Sequence, residues 1–134
     1  MGAWGHMVFD DDTAYDALAD LKEAEDLLAE MERYLDEAVQ ADYVGYDEGQ
    51  YALVSAAVLD SVINDTPYRC DEDDYDEWIN TLKTLDLTPI RQKAVEAVEA
   101  VLSDRSELNE LWAENEELYS AWREDKAALQ DRLR

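Results

Sequence analysis

The side chains in this chain that could do chemistry are overwhelmingly carboxylates. Thirty-five Asp and Glu stand against eleven Lys and Arg, one histidine and one cysteine, for a net charge of −24 over 134 residues. The densest run is Asp71-Glu72-Asp73-Asp74, continued by Asp76 and Glu77. A calcium loop needs oxygen ligands at fixed spacing, a central glycine and a closing glutamate. No glycine lies between Asp71 and Glu77, and the run leads into a helical pattern, so it reads as an acidic first turn. Asp10-Asp11-Asp12 reads as helix capping and solvation. His6 and Cys70 are the only soft ligands, and one of each does not make a structural zinc site without acidic help. Ser55 lies in an Ala-rich helical stretch and reads as a packing residue. No Gly-x-Ser-x-Gly elbow, phosphate loop or Gly-rich dinucleotide turn is present. Carboxylates alone can serve as acid and base, but no pair stands out. The expectation is no catalytic residue, no metal and no cofactor.

Binding is the chemistry this composition favours. From Asp10 to Glu48 there are fifteen acids against Lys22 and Arg33. From Asp60 to Asp86 there are nine against Arg69 and Lys83, and from Pro89 onward eleven against seven basic residues. A chain so charged repels phosphate, so direct binding of nucleic acid is not expected. The same field attracts a basic protein and speeds its association at low salt. A solubilising role, or adaptation to a salty cytoplasm, explains the acidity equally.

One segment combines acids with aromatic rings. Tyr43, Tyr46 and Tyr51 lie in and just after a stretch broken by Gly45 and Gly49, flanked by Asp42, Asp47 and Glu48. Rings that fill pockets, ringed by carboxylates that steer, suit a basic protein surface. Tyr43, Tyr46, Asp47, Glu48 and Asp42 are therefore the candidate partner-binding residues, in an irregular loop from Tyr43 to Gly49. The acidic faces of the helix over 20–40 come next.

Those residues need elements to position them. The sequence predicts a short helix over 13–20 and a longer one over 20–40, continuous or kinked. Leu21, Ala24, Leu28, Met31, Leu35 and Ala38 form its apolar stripe. Residues 50–63 are apolar almost all round and should form the central helix, ended before Pro67. A helix over 72–84 turns Tyr75, Trp78, Ile79 and Leu82 inward. Thr88-Pro89 starts the next, with Thr88 as cap. Asp104 with Glu107, or Ser106 alone, caps a last segment over 106–133, which divides near Tyr119-Ser120. That segment reads as docked on the chain's own core, favouring a monomer over a dimer seam.

The N-terminus departs from helix. Met1-Gly2-Ala3-Trp4-Gly5 places glycines on either side of Trp4, and Phe9 precedes Asp11-Asp12-Thr13, an N-cap pattern. The expectation is an irregular hook held by Trp4, Phe9, Asp12 and Thr13, with both rings buried. The start lacks the basic region and apolar run of a secretory signal, His6 replaces the Ser or Thr of a myristoylation signal, and no stretch is long enough to span a membrane.

Met1 to Gly5, Phe9, Asp12, Thr13 and Ala14 resemble the opening of a bacterial family catalogued as domain of unknown function 4259. Asp47-Glu48-Gly49-Gln50 and Ser106-Glu107-Leu108-Asn109-Glu110-Leu111-Trp112 are similar to two further segments, in the same order along the chain. Asp11 departs from the pattern, where typical members carry Asn, and either residue caps a helix. The resemblance implies a small, mainly helical bacterial domain and supplies no reaction or ligand.

The whole reading is a single domain over 1–134. It is all-α, a compact bundle of five to seven helices with an irregular N-terminal hook. The function expected is that of a non-catalytic, cytoplasmic acidic protein that binds and neutralises a basic protein, such as an immunity or inhibitor protein against a nuclease toxin. The alternatives are a DNA mimic that sequesters a DNA-binding protein, and a carboxylate-dependent enzyme.

Overall fold

The computed structural model describes residues 3–134. Among these residues seven α-helices follow one another: α1 (Asp12–Glu23), α2 (Leu27–Gln40), α3 (Tyr46–Asn64), α4 (Tyr75–Leu82), α5 (Arg91–Leu102), α6 (Glu107–Ala113) and α7 (Tyr119–Leu133). A 3-10 turn, Thr88–Ile90, leads into α5. Extended pairing among the described residues is limited to two isolated bridges, Ala3 with Asp11 and Val44 with Ser106. The all-α expectation holds.

Helix α3 is the axis of the bundle and packs against every other helix. Each residue from Ala52 to Ser61 is buried, as a helix apolar on all sides requires. Helix α5 forms the second layer, against α2, α3, α6 and α7. The two helices expected over 13–40 are separated by a break at 24–26, where the Asp26 side chain caps α2 by accepting from the Ala29 N–H at 3.1 Å.

The loop expected from Tyr43 to Gly49 is a correction. Helix α3 begins at Tyr46, so Tyr46, Asp47, Glu48 and Gly49 form its first turn. Gly45 is the N-cap and has no side chain to offer, so Glu107 of α6 accepts the Tyr46 N–H at 2.9 Å instead. Gly49 is not a breaker. A Cβ there would meet Leu108 Cδ1 at 2.7 Å, so glycine lets α6 close on α3. Gly49→Ala should therefore cost about 1–3 kcal/mol of overpacking in a urea melt. In a Leu108→Ala background, itself destabilised by the cavity it leaves, the added cost of Gly49→Ala should be smaller.

Other boundaries shift for local reasons. Helix α4 is shorter than expected, because Asp71–Asp74 stays outside it. Thr88 is not the cap; its N–H and hydroxyl both donate to the Asp86 carboxylate. Ser106 caps α6, accepting from the Asn109 N–H at 3.3 Å. The last segment divides at 114–118, just before Tyr119, where Asn115 Oδ1 accepts the N–H groups of Glu117 and Leu118. Trp112 and Trp122 are buried and stack at 6.0 Å.

The hook is real, but Trp4 is not its anchor. The Trp4 N–H donates to the Asp10 carbonyl at 2.9 Å, closing the reversal. A Cβ on Gly5 would strike the Asp10 carboxylate, so any other residue there would have to displace that side chain. This geometry sends the Trp4 ring outward, 56% exposed, where it stacks on Tyr15 at 6.2 Å. Burial falls to Val8 and Phe9. The cap of α1 is Asp11, accepting the Thr13 N–H at 2.7 Å, whereas Asp12 is exposed. Met1 and Gly2 lie outside the described residues.

Two buried charges lock the ends of the chain, and the sequence reading named neither. Lys126 of α7 is 1% exposed and donates to the His6 carbonyl at 2.8 Å and to Asp125 at 2.5 Å. Burial pushes its amine below the usual lysine range, against the pull of Asp125 and Asp10. Asp60 of α3 is fully buried and accepts from Asn64, Thr66, Tyr68 and Arg132.

Candidate functional site

Where α1, α2 and the start of α3 meet, the surface opens into a cleft of about 260 Å³. Asp20 comes from α1, Arg33, Tyr34 and Glu37 from α2, and Asp47, Glu48 and Tyr51 from α3. Spacing explains the lining. Residues three and four apart share one helix face, so Glu30, Arg33, Tyr34 and Glu37 stand together on α2, and Asp47, Glu48 and Tyr51 on α3.

Hydrogen bonds fix Asp20, Arg33, Tyr34, Glu37 and Tyr51. The Tyr51 hydroxyl donates to Asp20 at 3.0 Å, tying α3 to α1. The Tyr34 hydroxyl donates to Glu30 at 3.1 Å, and Arg33 donates to Glu30 at 3.0 Å and to Glu37 at 3.1 Å. The rings of Tyr34 and Tyr51 meet edge to face at 4.9 Å, and the Arg33 guanidinium lies 4.8 Å from the Tyr34 ring.

The electrostatics follow from these contacts. Burial, then the bond to Asp20, then the field of Asp20, Asp16 and Asp47 push the Tyr51 phenol up to about 12. Burial and the Glu30 carboxylate push Tyr34 above the ordinary tyrosine range. The Arg33 bond holds the Glu30 carboxyl below its ordinary value. Both phenols thus remain neutral donors, already committed to carboxylates. Four lining carboxylates face one guanidinium that is itself bridged to two acids. Such a cleft accepts hydrogen bonds and positive charge, and of its acceptors Asp20 and Glu37 are already oriented.

The five candidate residues do not all line the cleft. Asp47 and Glu48 line the cleft. Tyr43 is 47% exposed and donates to Glu110 of α6 at 3.0 Å. The Tyr46 hydroxyl donates to Asp11, which draws the ring toward the hook. Asp42 is exposed in the segment between α2 and α3. Of that set only the two acids line the cleft, and Tyr51, which the sequence grouped with Tyr43 and Tyr46, lines it beside them. Asp20, Arg33, Tyr34 and Glu37 were missed as individuals, although the acidic faces over 20–40 were the second candidate.

The other chemical groups lie apart from the cleft. Asp74 pairs with Lys22 at 2.8 Å, and the Asp71 N–H donates to the Tyr15 hydroxyl. Cys70 is half-buried, and burial raises its thiol. No three His, Cys, Asp or Glu side chains among the described residues converge as a metal site requires. No helix there is long and apolar enough to cross a membrane.

Fold and cleft together define an all-α acidic protein with a carboxylate-lined surface recess. The chain belongs to the family of a domain of unknown function, DUF4259, whose model matches residues 2–125. The match stops just short of the buried Lys126 and of Arg132. No curated protein and no solved structure matches the chain.

Proposed function

We propose that this is a non-catalytic acidic protein that binds and neutralises a basic protein partner, acting as a monomer in the cytoplasm. Its concrete form is an immunity or inhibitor protein against a nuclease toxin. The observation that carries the reading is the three-helix cleft. Asp20, Glu37, Asp47 and Glu48 converge there from three separate helices, against the single Arg33. A nuclease must present cations to the phosphate backbone of its substrate. A rigid carboxylate array built on helices can take those cations out of use, and the packing that fixes its backbone lowers the entropic cost of binding.

The test begins with a partner recovered by pull-down from the native cell. Asp47→Asn combined with Glu48→Gln should slow association by about tenfold at low salt and flatten its salt dependence, since steering charges act on the on-rate. Dissociation should change less. A variant that associates as the parent does at low salt would remove the cleft as the contact. Recovery of a DNA-binding protein in place of a nuclease would move the reading to DNA mimicry.

A further inference from the structure

Away from the carboxylate cleft, the turn between α1 and α2 faces the turn after α4 across a groove of about 630 Å³. Five leucines line it: Leu27 and Leu28 from the start of α2, and Leu82, Leu85 and Leu87 from the end of α4 and the turn beyond. Leu27, Leu82 and Leu87 form its buried floor, Leu28 is half-buried, and Leu85 stands 45% exposed. The remaining lining is Ala24 with Glu25, Asp26 and Asp86, and no cation is among the lining residues. Asp86 is held ionised, because the Thr88 hydroxyl and N–H keep its carboxyl below the ordinary range. Asp26 accepts the Ala29 N–H at the start of α2.

An apolar floor under a purely acidic rim limits what can cover it. A second copy of this chain would bring another −24 to the contact. An anionic membrane surface is repelled for the same reason. The complement is a segment that offers an apolar side chain between lysines or arginines. We propose that this groove is a docking site for a basic amphipathic segment of the protein partner, with Leu85 and Leu28 gripping its apolar residue and Glu25, Asp26 and Asp86 engaging its cations. The proposal rests on the reading of this protein as the ligand of a basic protein and adds a second contact at the α1–α2 turn. It also gives that contact a specificity that charge alone does not supply, because truncation of a desolvated apolar anchor removes most of a contact's energy.

The experiment uses the full chain with methyl-labelled leucines, followed by NMR. The probe is a short synthetic helical peptide of lysine and leucine with one apolar face. The controls are the same peptide with every leucine replaced by serine, and with every lysine replaced by glutamate. The lysine–leucine peptide should bind saturably and shift the Leu28 and Leu85 methyls, and Leu85→Glu should weaken it at least about tenfold. Leu85 is exposed, so this variant should melt like the parent. The serine peptide should leave the leucine methyls in place while perturbing Tyr34 and Tyr51 in the cleft. If Leu85→Glu binds the lysine–leucine peptide as tightly as the parent, or the serine peptide shifts the leucine methyls equally, the groove is not the site and the cleft reading stands. If neither basic peptide binds, both proposals fail together.

Discussion

Phe9→Ala should destabilise the protein by about 3–5 kcal/mol, the range for truncating a buried large aromatic. The ring is 1% exposed. It meets Tyr75 at 5.3 Å, Tyr68 at 5.9 Å and Tyr15 at 6.0 Å, two of them edge-on. Its removal empties the space where the hook, α1, α4 and the segment after α3 converge, and those backbones are held apart by their own hydrogen bonds. Trp4→Ala is the informative contrast. Trp4 is larger, yet its exposed ring touches Tyr15 from outside, so its loss should cost less than about 1 kcal/mol. Urea melts of the two variants check both numbers. A Trp4→Ala loss equal to that of Phe9→Ala would mean that the hook packs differently from the arrangement described.

Asp60→Ala should cost about 3 kcal/mol. Its carboxylate gathers four donors: Asn64 at 2.8 Å, Thr66 at 3.0 Å, Tyr68 at 2.7 Å and Arg132 at 2.9 Å. Removing one member of a buried ion pair costs roughly 3–5 kcal/mol, because the other charge stays behind unpaired. The lower end applies here, since the Arg132 side chain is 37% exposed and can recover water. The Tyr68 phenol is raised above its ordinary range first by burial and then by Asp60, so it remains a donor that loses its acceptor. Asp60→Asn keeps the shape and should cost less. In a double-mutant cycle with Arg132→Ala, the two losses should fall short of additive, because they share one bond. Additive losses would show that Arg132 and Asp60 do not depend on each other.

These two residues mark what local sequence can and cannot reveal. Phe9 was legible because an apolar residue just before an N-cap has one place to go. The central helix was legible because apolar residues occupy every face from Ala52 to Leu59. Asp60 was not, since its donors come from 64, 66, 68 and 132, and only the fold brings the last of these near. Lys126 sits in the polar stretch Arg123-Glu124-Asp125-Lys126, and nothing in that stretch distinguishes the buried amine from its neighbours. Gly49 was misread because a glycine looks alike whether it breaks a helix or admits a neighbour, and the neighbour, Leu108, is remote in sequence. Trp4 was misread because the reversal at Gly5 decides which way the ring points.

The cleft was half legible for the same reason. Asp47 and Glu48 were named as binding residues, and the acidic faces over 20–40 as the reserve. What the sequence did not supply is that these are one feature, because the pairing of α2 with the first turns of α3 is a tertiary fact. Tyr43 and Tyr46 adjoin those acids in the chain, yet Tyr43, in the segment before α3, donates to Glu110, and Tyr46, the first residue of α3, donates to Asp11.

The central claim is that convergence of the carboxylates, rather than total charge, makes the contact with a basic partner. The most direct test compares two variants of equal charge. One neutralises the cleft through Asp20→Asn, Glu37→Gln, Asp47→Asn and Glu48→Gln. The other neutralises Glu114, Glu116, Glu117 and Glu124, all exposed around the α6–α7 break, to Gln. Both lose the same formal charge, so long-range attraction falls equally, and stopped-flow association at low salt with the recovered partner reads the difference. The account predicts that the cleft variant associates at least about tenfold more slowly than the parent while the control stays within about twofold. Equal slowing of both variants would contradict it, and would leave the acidity as a diffuse field with no site.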